Sequence, residues 1–543
     1  MNAPPIDGET RRVAFMDIGT NSIRLLIVRV NPNHSTNVLI QLKQTVRLGE
    51  GEFDDRILQP RAVDRAVSVT QRFASLIRSH GADDVIAVAT AATREARNQR
   101  QFVERLQESA QLDVRVVSGQ EEARLIYLGV ASGFHLEDKQ AFFIDIGGGS
   151  TEVILGTQHT YGYLNSLRLG AIRLAAQFPA GAHGVMSPRA YGRVVHFVRR
   201  HAVHTLREVG SHRIDLAIGS SGTIENLADV AMRRHANRRL QRDDELTAAN
   251  LRETVRMLGA MPLKERRRVP GLNPERADIV MGGAAILEAF MEALELPAIR
   301  VSERGLREGL LIDYLIRNGH APALQDLSVR RRSVLELGRT CHFEEPHALT
   351  TARLALMLFD SAKAAGLHAF GAWERELLEY AALLHRIGAF LTYNNYQAHT
   401  CYLIRNANLL GFDQTEVAII ASTALFHRKA LPQRGDPEFA GLEPQAQEIV
   451  RVLSLLLRLA ESLDRSHAGK VQRAEFRPKA HSRVALVIHA AEDCQIEVWA
   501  LKKHTSAFHK VFGHRLEIEV VAGGEEHNED VGKAGQKKKI DRP

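Results

Sequence analysis

A short motif that ends a buried strand in a glycine turn occurs twice in this chain. The first copy is Ala14–Ser22 and the second is Phe142–Thr151. In each copy an apolar run of strand character is followed by Asp-Ile-Gly and then by glycine or hydroxyl residues. Glycine permits a tight turn and lets an anion come close to the backbone N–H groups. Two such turns that face each other would hold a phosphate chain from both sides, and Asp17 and Asp145 are placed to bind a hard cation.

The length and composition indicate a multidomain globular protein. A chain of 543 residues is too long for one hydrophobic core, so we expect three or four domains. The hydrophobic share of 45% and the charged share of 25% are typical of soluble proteins. Three unclustered cysteines (Cys341, Cys401 and Cys494) argue against a disulfide framework and favour a cytoplasmic location. No apolar run is long enough to span a bilayer, so we expect no membrane partner.

The charge balance is compatible with a polyanionic partner. The net charge is +7 and the pI is about 9.3. Each arginine cluster, of which Arg266–Arg268 is the densest, is also explained by a solvated helix face. Neither zinc-finger spacing nor interleaved aromatic and basic residues are present, so a specific nucleic-acid partner is not expected. The sequence leaves the oligomeric state open, with a homodimer as one possibility.

Strand-like and helix-like segments alternate in two series, which predicts an α/β fold. The first series has predicted strands at 13–17, 25–30, 85–90 and 114–117 and a helix at 60–80. The second has predicted strands at 142–146, 152–155, 214–219 and 298–302 and helices at 277–294 and 309–316. Both series open on the same strand–turn–strand unit. We therefore predict two duplicated lobes, at residues 1–132 and 133–318, with a cleft between them.

The rest of the chain has a different pattern. After a predicted linker at 318–322, residues 327–464 have helical periodicity, and 471–521 alternate as strands, with segments at 483–488, 494–501 and 515–521. We predict a helical domain at 319–470, a small β-rich domain at 471–522 and a disordered basic tail at 523–543.

Two further segments follow predicted strands and carry reactive side chains. Arg94 can fork two phosphate oxygens. Glu121 and Glu122 begin a predicted helix, where acidic residues also serve simply to complement the helix dipole. If Glu122 faces the cleft, it can accept a proton from a water that attacks phosphorus, and a neighbouring carboxylate would raise its pKa toward neutrality. The set indicates phosphoryl transfer to water.

Together these motifs resemble the exopolyphosphatase / guanosine pentaphosphate phosphohydrolase family, within the actin-like, sugar-kinase and heat-shock-protein ATPase superfamily. The resemblance covers about residues 11–316. It is carried, in order, by Asp17–Ser22, Thr90–Asn98, Ser118–Ala123, Asp145–Glu152, Gly219–Thr223, Arg276–Asp278 and Ser302–Gly309. It implies two ribonuclease-H-like lobes with the active site between them.

The resemblance also implies roles for individual residues. Glu122 matches the catalytic base, with Glu121 as the alternative. Mg²⁺ or another divalent cation is implied near Asp17, Asp145 and Glu152. The implied phosphate contacts are Asn21, Ser22, Arg94, Gly147, Gly148, Gly149, Ser150, Ser221 and Gly222. The implied activity is release of terminal phosphate from inorganic polyphosphate, with removal of the 5′ γ-phosphate of pppGpp as the alternative.

The helical region resembles an HD-type domain. His347, His385, His427 and Asp464 occupy the positions of metal ligands, and His399 is a further candidate. The His-Asp signature reads His385-Arg386 here, which replaces a ligand with a positive charge. We therefore expect a structural domain rather than a metal phosphohydrolase. Some of these residues would alternatively line a polyphosphate path, together with the basic segment at 426–429.

Two functions of other classes stay open. One is an ATP-dependent kinase or ATPase of the same superfamily. A sugar kinase usually places its catalytic base on an Asp near the second lobe, whereas the Glu121-Glu122 pair and Ser302–Gly309 favour a phosphohydrolase. The other is a non-catalytic protein that binds polyphosphate or an alarmone, which only an activity assay would distinguish.

Overall fold

The structure is a computed structural model that describes residues 10–33, 35–53, 55–320, 328–407, 409–428 and 430–522. The predicted basic tail, residues 321–322 of the predicted linker and Lys429 lie outside these residues. The chain divides into two compact units, Met1–Thr340 with Asn408–Asp413, and Cys341–Ala407 with Gln414–Pro543. The finer domain boundaries drawn from the sequence remain a prediction.

The first glycine turn belongs to a five-stranded sheet in the order β3-β2-β1-β4-β5. β1 and β2 form an antiparallel hairpin around the turn, whereas β4 lies parallel to β1 on its other side. The strands are β1 Arg11–Ile18, β2 Ser22–Val30, β3 Thr36–Thr45, β4 Asp84–Ala89 and β5 Val114–Val116. Three helices connect these strands. Helix α1 Pro60–Ser79 lies between β3 and β4, and α2 Ala91–Glu95 and α3 Gln99–Ala110 lie between β4 and β5. The predicted helix at 60–80 is confirmed, since α1 begins at Pro60 and buries Val63, Val67, Phe73 and Ile77.

The second glycine turn belongs to a six-stranded sheet in the order β10-β11-β9-β6-β7-β8. Its central part repeats the first sheet, because β6 and β7 form the antiparallel hairpin and β9 lies parallel to β6. The strands are β6 Ala141–Ile146, β7 Thr151–Gly156, β8 Tyr161–Leu167, β9 Leu216–Ser220, β10 Glu245–Thr247 and β11 Ala298–Ser302. The repeat predicted from the sequence is therefore present as the same local topology.

Helices cover the second sheet and also separate the two sheets. The helices of this half are α5 Ala171–Gln177, α6 Pro188–His201, α7 Val203–Gly210, α8 Ser221–His235, α9 Ala248–Ala260, α10 Leu263–Arg266 and α11 Val280–Ala293, of which α8, α9 and α11 contact strands of the second sheet. Two more, α4 Gly119–Ala131 and α12 Leu306–Leu315, share one hydrophobic core with residues of both sheets. This core joins the two α/β halves, which are sheets of the actin-like ATPase type.

Helices α4 and α12 cross in direct backbone contact. A Cβ atom added at Gly309 would lie 1.8 Å from the carbonyl oxygen of Leu125, and one at Gly129 would lie 2.1 Å from the carbonyl oxygen of Gly305. Only glycine permits such an approach. Helix α4, which carries the Glu121-Glu122 pair in its first turn, is therefore fixed against α12.

A last helix of the first unit, α13, spans Val329–Thr340, and the second unit opens with a group of helices. These are α14 Glu345–Ala364, α15 Ala372–Leu384, α16 Tyr396–Asn406, α17 Gln414–Phe426, α18 Pro437–Ala440 and α19 Pro444–Leu463. A three-stranded sheet, β12 Val471–Lys479, β13 Arg483–Ala490 and β14 Arg515–Ala522, follows with α20 Gln495–Lys502 and α21 Thr505–Phe512. The predicted helical region is confirmed. None of the helices in the described ranges has the length and apolar character needed to cross a membrane.

One predicted strand, at 494–501, is wrong, because this segment is the helix α20. Its Ala500 and Leu501 are buried, while Ile496 and Trp499 are exposed. Over so few residues this pattern fits either a strand or a helix. The deciding constraint is tertiary, since β13 and β14 are parallel and parallel neighbours need a crossover connection, which is usually helical.

Candidate active site

Four predicted acidic residues lie buried where the two glycine turns meet. Asp17 is at the end of β1 and Asp145 at the end of β6, and Glu152 pairs with Asp145 across the β6–β7 hairpin. Glu122 lies in the first turn of α4 and is only 6% exposed. The structure thus brings together side chains from both α/β halves.

Burial and mutual repulsion make these carboxyl groups weak acids. Burial, offset in part by Arg24 and Arg307, raises the pKa of Asp17 to about 6. Burial is also the main reason why the pKa of Glu122 rises to about 7, while the neighbouring Arg94 opposes the rise. The pKa of Glu152 is raised well above its usual value by burial and by the charges of Glu122 and Asp145. A divalent cation among these groups would relieve the repulsion.

The donor set fits Mg²⁺ in its usual binding mode. Oδ1 of Asp17 is buried and has no hydrogen-bond partner. Asp145 Oδ2 accepts a hydrogen bond from Ser220 Oγ at 2.5 Å, and Glu152 Oε1 accepts one from Ser166 Oγ at 2.7 Å. In the described ranges no group of three or more His, Cys, Asp or Glu side chains is arranged to hold a metal ion. Mg²⁺ usually takes only one or two carboxylates, together with waters and substrate phosphates, so Asp17 and Asp145 would suffice as protein ligands.

The two acidic residues at the start of α4 have different partners. Glu122 Oε2 accepts a hydrogen bond from Arg94 Nη1 at 2.8 Å. Glu121 is instead forked by Arg124, whose Nε and Nη2 lie 2.8 and 2.9 Å from its two carboxylate oxygens. Arg124 also donates to Asp313 of α12. Of the two residues considered as the base, Glu122 is the one that belongs to the carboxylate cluster.

The two glycine turns are closed by equivalent backbone hydrogen bonds, and the turns are in contact with each other. Gly19 N–H donates to the carbonyl of Ser22 in the first turn, and Gly147 N–H donates to that of Ser150 in the second. A Cβ atom at Gly149 would lie 2.8 Å from Thr20 Oγ1. Small residues in the second turn are therefore required for the turns to meet.

The remaining predicted phosphate contacts also surround this meeting point. One is Gly148, where an added Cβ atom would lie 3.1 Å from the side chain of Thr20. Asn21 and Ser22 are buried, and both amide atoms of Asn21 have no hydrogen-bond partner. Unpartnered polar atoms inside a cleft are free to bind a ligand.

The Ser221-Gly222 pair lies at the start of α8. Ser221 has a left-handed backbone (φ +79°), and its Oγ donates to the carbonyl of Ile146 at 2.5 Å. Its hydroxyl is thus already used, so a phosphate contact through this residue would involve the backbone. A Cβ atom at Gly222 would lie 2.6 Å from Cζ of Arg276, so the guanidinium lies directly against this glycine.

Sequence reasoning assigned no role to Arg24 and Arg276. The side chain of Arg276 is 8% exposed and makes no hydrogen bond or ion pair with the described residues. Burial, together with the charge of Arg24, lowers the pKa of Arg276 to about 10. The charges of Glu225 and Asp145 oppose this fall in pKa. A buried cation that makes no hydrogen bond is still costly, which is consistent with an anionic ligand. The only sequence signals were an arginine within an apolar strand and the Arg276–Asp278 motif.

Arg24 also lines a pocket of about 950 Å³ in the first unit. Its cationic lining residues are Arg24, Lys43, Arg233, Arg239 and Arg307, against the acidic Glu225, Asp229 and Glu303. The surplus of positive charge suits a chain of phosphates, and Leu42, Leu240 and Leu272 add apolar surface.

Comparison with known proteins identifies the family. The model of the Ppx/GppA phosphatase family matches residues 26–318, and that of Ppx/GppA phosphatase domain III matches residues 329–504. The chain belongs to the Ppx/GppA phosphatase family. The family suggested by the sequence motifs is thus confirmed, and the helical region matches domain III of the family.

The chain was also compared with solved structures of Ppx/GppA relatives, each of which covers between 56% and 58% of it. An exopolyphosphatase from Cytophaga hutchinsonii is 28% identical, with a TM-score of 0.53, over 57% of this chain and 98% of that one. An exopolyphosphatase-like protein is 26% identical, with a TM-score of 0.52, over 56% of this chain and 98% of that one. The Aquifex aeolicus family member is 26% identical, with a TM-score of 0.49, over 58% of this chain and 100% of that one.

Within the domain III region, the histidines predicted at HD positions form a cluster. The ring of His385 lies 5.5 Å from that of His347 and 5.3 Å from that of His427, and His347 Nδ1 lies 2.7 Å from Asp464 Oδ2. Burial lowers the pKa of His427 to about 4 and that of His385 well below its usual value, so both are neutral.

The two other residues considered for the HD-type site, Arg386 and His399, add no metal ligand to this cluster. Arg386 Nη1 contacts His467 Nε2 at 2.7 Å, while His399 is only half-buried. No three-ligand metal group occurs among the described residues here either. The relation to HD domains and the absence of metal catalysis from this region remain predictions.

Proposed function

We propose that this Ppx/GppA phosphatase is an exopolyphosphatase that releases terminal phosphate from inorganic polyphosphate, with Glu122 as the general base. The observation that carries the proposal is the position of Glu122, buried among the cleft carboxylates and bonded to Arg94. Burial raises its pKa to about 7, which is where a general base works best near neutral pH. The chain's resemblance to the Cytophaga hutchinsonii exopolyphosphatase supports the same reaction.

In the proposed reaction, the two glycine turns bind the terminal phosphate through their backbone N–H groups. Arg94 contributes a guanidinium to the same phosphate. Glu122 Oε2 is bonded to Arg94, so we assign Oε1 to the attacking water. The water oxygen bonds to the terminal phosphorus, its proton passes to Glu122, and the bond from phosphorus to the bridging oxygen breaks. Orthophosphate and a chain shorter by one phosphate leave.

Asp17 and Asp145 would hold the divalent cation, with Glu152 nearby. When bound, Mg²⁺ would neutralise charge on the phosphate oxygens, and the unpartnered Oδ1 of Asp17 is the atom best placed to bind it. Ser220 keeps Asp145 oriented through its hydrogen bond.

The cationic pocket would hold the part of the polymer behind the terminal phosphate. Arg24 connects the two regions, because it lines the pocket and its charge also acts on Asp17 and Asp145. Continuous positive charge from the pocket to the turns would keep a long anion bound between successive cleavages.

Hydrolysis of pppGpp to ppGpp is the second candidate. The apolar part of the pocket lining, Leu42, Leu240 and Leu272, provides surface for a base or ribose that a pure phosphate chain would not need. The catalytic steps would be the same, with the 5′ γ-phosphate at the glycine turns.

The test is phosphate release from long-chain polyphosphate and from pppGpp, each with and without Mg²⁺. Glu122→Gln should lower turnover on the order of 10² to 10⁴-fold for the preferred substrate. Glu121→Gln is the matched control, since Glu121 is bonded to Arg124, and it should retain most of the activity. If E122Q turns over substrate about as fast as the wild type, Glu122 is not the general base. If the wild type binds polyphosphate and pppGpp without hydrolysing either, the proposal that the protein is a phosphohydrolase is wrong.

A further inference from the structure

The guanidinium of Arg173, on α5, lies where three segments meet. Its Nε donates to the carbonyl of Gly149 in the second glycine turn at 2.9 Å. Its Nη2 donates to Glu95 Oε1 at 2.9 Å, and its Cζ lies 4.1 Å from the centre of the Phe53 ring. Arg173 and Gly149 belong to the half with the six-stranded sheet, whereas Glu95 and Phe53 belong to the half with the five-stranded sheet. One side chain therefore ties the two halves together beside the phosphate turns.

The ion pair between Arg173 and Glu95 is largely removed from water. The two side chains are 15% and 8% exposed. A buried ion pair is a poor means of gaining stability, because the desolvation penalty offsets much of the attraction. What such a pair does provide is a fixed geometry between the groups that it joins.

The bond to Gly149 fixes one peptide of the phosphate turn. In a trans peptide the C=O and the following N–H point in opposite directions. Holding the Gly149 carbonyl therefore also fixes the direction of the Ser150 N–H. The peptide cannot rotate without breaking a charge-assisted hydrogen bond.

The bond to Glu95 fixes the neighbour of Arg94. Both residues lie in the short helix α2, and Arg94 is bonded to Glu122. The N-terminus of α2 also contacts the second turn, since a Cβ atom at Gly149 would lie 3.1 Å from Cβ of Ala91. Arg173 is thus linked on one side to a phosphate-binding peptide and on the other to the helix that orients the base.

We propose that Arg173 is a positioning residue that sets the second phosphate turn and the Arg94 helix at the distance required for hydrolysis. This inference rests on the proposed function. Arg173 acts through Gly149 and Glu95 and does not touch the substrate. Its loss should therefore reduce the rate of the reaction more than the binding of the polymer.

Arg168 provides a matched control. Its Nε lies 3.5 Å from Glu95 Oε2, so it is a second cation on the same carboxylate. Its side chain is 67% exposed, and it makes no contact with Gly149 among the described residues. Replacing Arg168 removes a positive charge next to Glu95 but leaves the hydrogen bond to Gly149 in the phosphate turn intact.

The experiment is steady-state hydrolysis of long-chain polyphosphate by full-length R173M, R173K, R168M and E95Q, with thermal unfolding of each. R173M should lower kcat on the order of 10²-fold with KM nearly unchanged, because a displacement of about 1 Å has an effect of this size. R168M should stay within about twofold of the wild type, as exposed ion pairs contribute little. R173K should recover part of kcat, since lysine restores the positive charge but cannot reproduce the planar guanidinium that donates to both Gly149 and Glu95.

Three results would overturn the inference. They are an unchanged kcat in a folded R173M, an equal loss in R168M, and a double variant R173M/E95Q whose losses simply multiply. E122Q in the same assay separates this inference from the proposed function. If E122Q is inactive while R173M is not impaired, only the role of Arg173 fails, whereas a fully active E122Q contradicts the proposed function itself.

Discussion

Nη1 of Arg94 lies 2.8 Å from Oε2 of Glu122. The same nitrogen also donates to the carbonyl of Val117 at 3.1 Å, so the guanidinium is anchored to the backbone as well as to the carboxylate. Burial raises the pKa of Glu122, and the adjacent positive charge of Arg94 lowers it. The balance of these two effects gives Glu122 a pKa of about 7, so near neutral pH the carboxyl group can both lose and accept a proton.

The first prediction concerns the pH dependence of catalysis. Glu122 must be deprotonated to act as a base, and its pKa is about 7. As the pH drops below about 7, kcat/KM should therefore fall in proportion to the fraction of Glu122 that is deprotonated, as expected for the protonation of a single group. Because Arg94 lowers this pKa, the residual activity of Arg94→Gln should show its acid limb at a higher pH. A pH–rate profile of both proteins checks this, and an acid limb that stays in place would contradict it.

The second prediction concerns Arg276. Its guanidinium is buried without a protein partner, so Arg276→Met should raise the melting temperature. The same change should raise KM for polyphosphate by about 10-fold or more, since a charged hydrogen-bonding group is worth roughly 1.5–3 kcal/mol.

Arg200→Met is the control for Arg276, because Arg200 is an exposed arginine of α6. It should change neither the melting temperature nor KM. A stabilised R276M with an unaltered KM would show that the buried guanidinium does not bind the substrate.

The third prediction concerns the crossing of α4 and α12. Gly309→Ala would place a methyl group 1.8 Å from the Leu125 carbonyl oxygen, so the helices must separate. We expect a loss of about 1–3 kcal/mol in the free energy of unfolding, with a fall in kcat because Glu122 moves. Gly192→Ala in α6 is the control, since nothing lies within 4 Å of its added Cβ atom. G192A should stabilise the protein by up to ~1 kcal/mol, and equal melting temperatures for the two variants would contradict the backbone contact.

The fourth prediction concerns Glu52, which is fully buried with both carboxylate oxygens unpartnered. Burial raises its pKa from 4.5 to about 7, with Glu95 adding to the rise and Arg173 and Arg56 opposing it. The folded state therefore holds this proton more tightly than the unfolded state. Its contribution to stability is complete below about pH 4.5 and is lost as the pH rises through about 7.

Glu52→Gln removes this titration while keeping the shape of the side chain. The melting temperature of E52Q should equal that of the wild type near pH 5 and exceed it near pH 8. Glu50→Gln, at an exposed residue of the same loop, should leave the pH profile unchanged. A wild-type advantage at pH 8 would contradict the prediction.

The repeated motif made the fold and much of the site predictable. A strand that ends in Asp-Ile-Gly constrains the local backbone so strongly that both hairpins and the positions of Asp17 and Asp145 follow from it. Position within α4 was predictable for Glu122, but the choice between Glu121 and Glu122 was not. It depends on Arg124, which lies one turn away and removes Glu121 from the cluster.

Features set by tertiary contacts were not accessible from the sequence. Sequence reasoning gave no role to the side chains of Arg276 and Arg173, and only the fold places one against Gly222 and joins the other to Gly149. Ser221 matched a phosphate-binding position, yet its hydroxyl bonds to the backbone of Ile146. The strand predicted at 494–501 failed because eight residues of alternating character cannot show that their neighbours run parallel.

The glycine contact between α4 and α12 restricts how this enzyme can diverge. Since Gly309 and Leu125 meet backbone to backbone, the main chain rather than the side chains at that crossing sets the position of α4, which carries Glu122. Variation in this half of the chain is therefore left to side chains away from the crossing, such as Lys43 and Arg239, which line the cationic pocket.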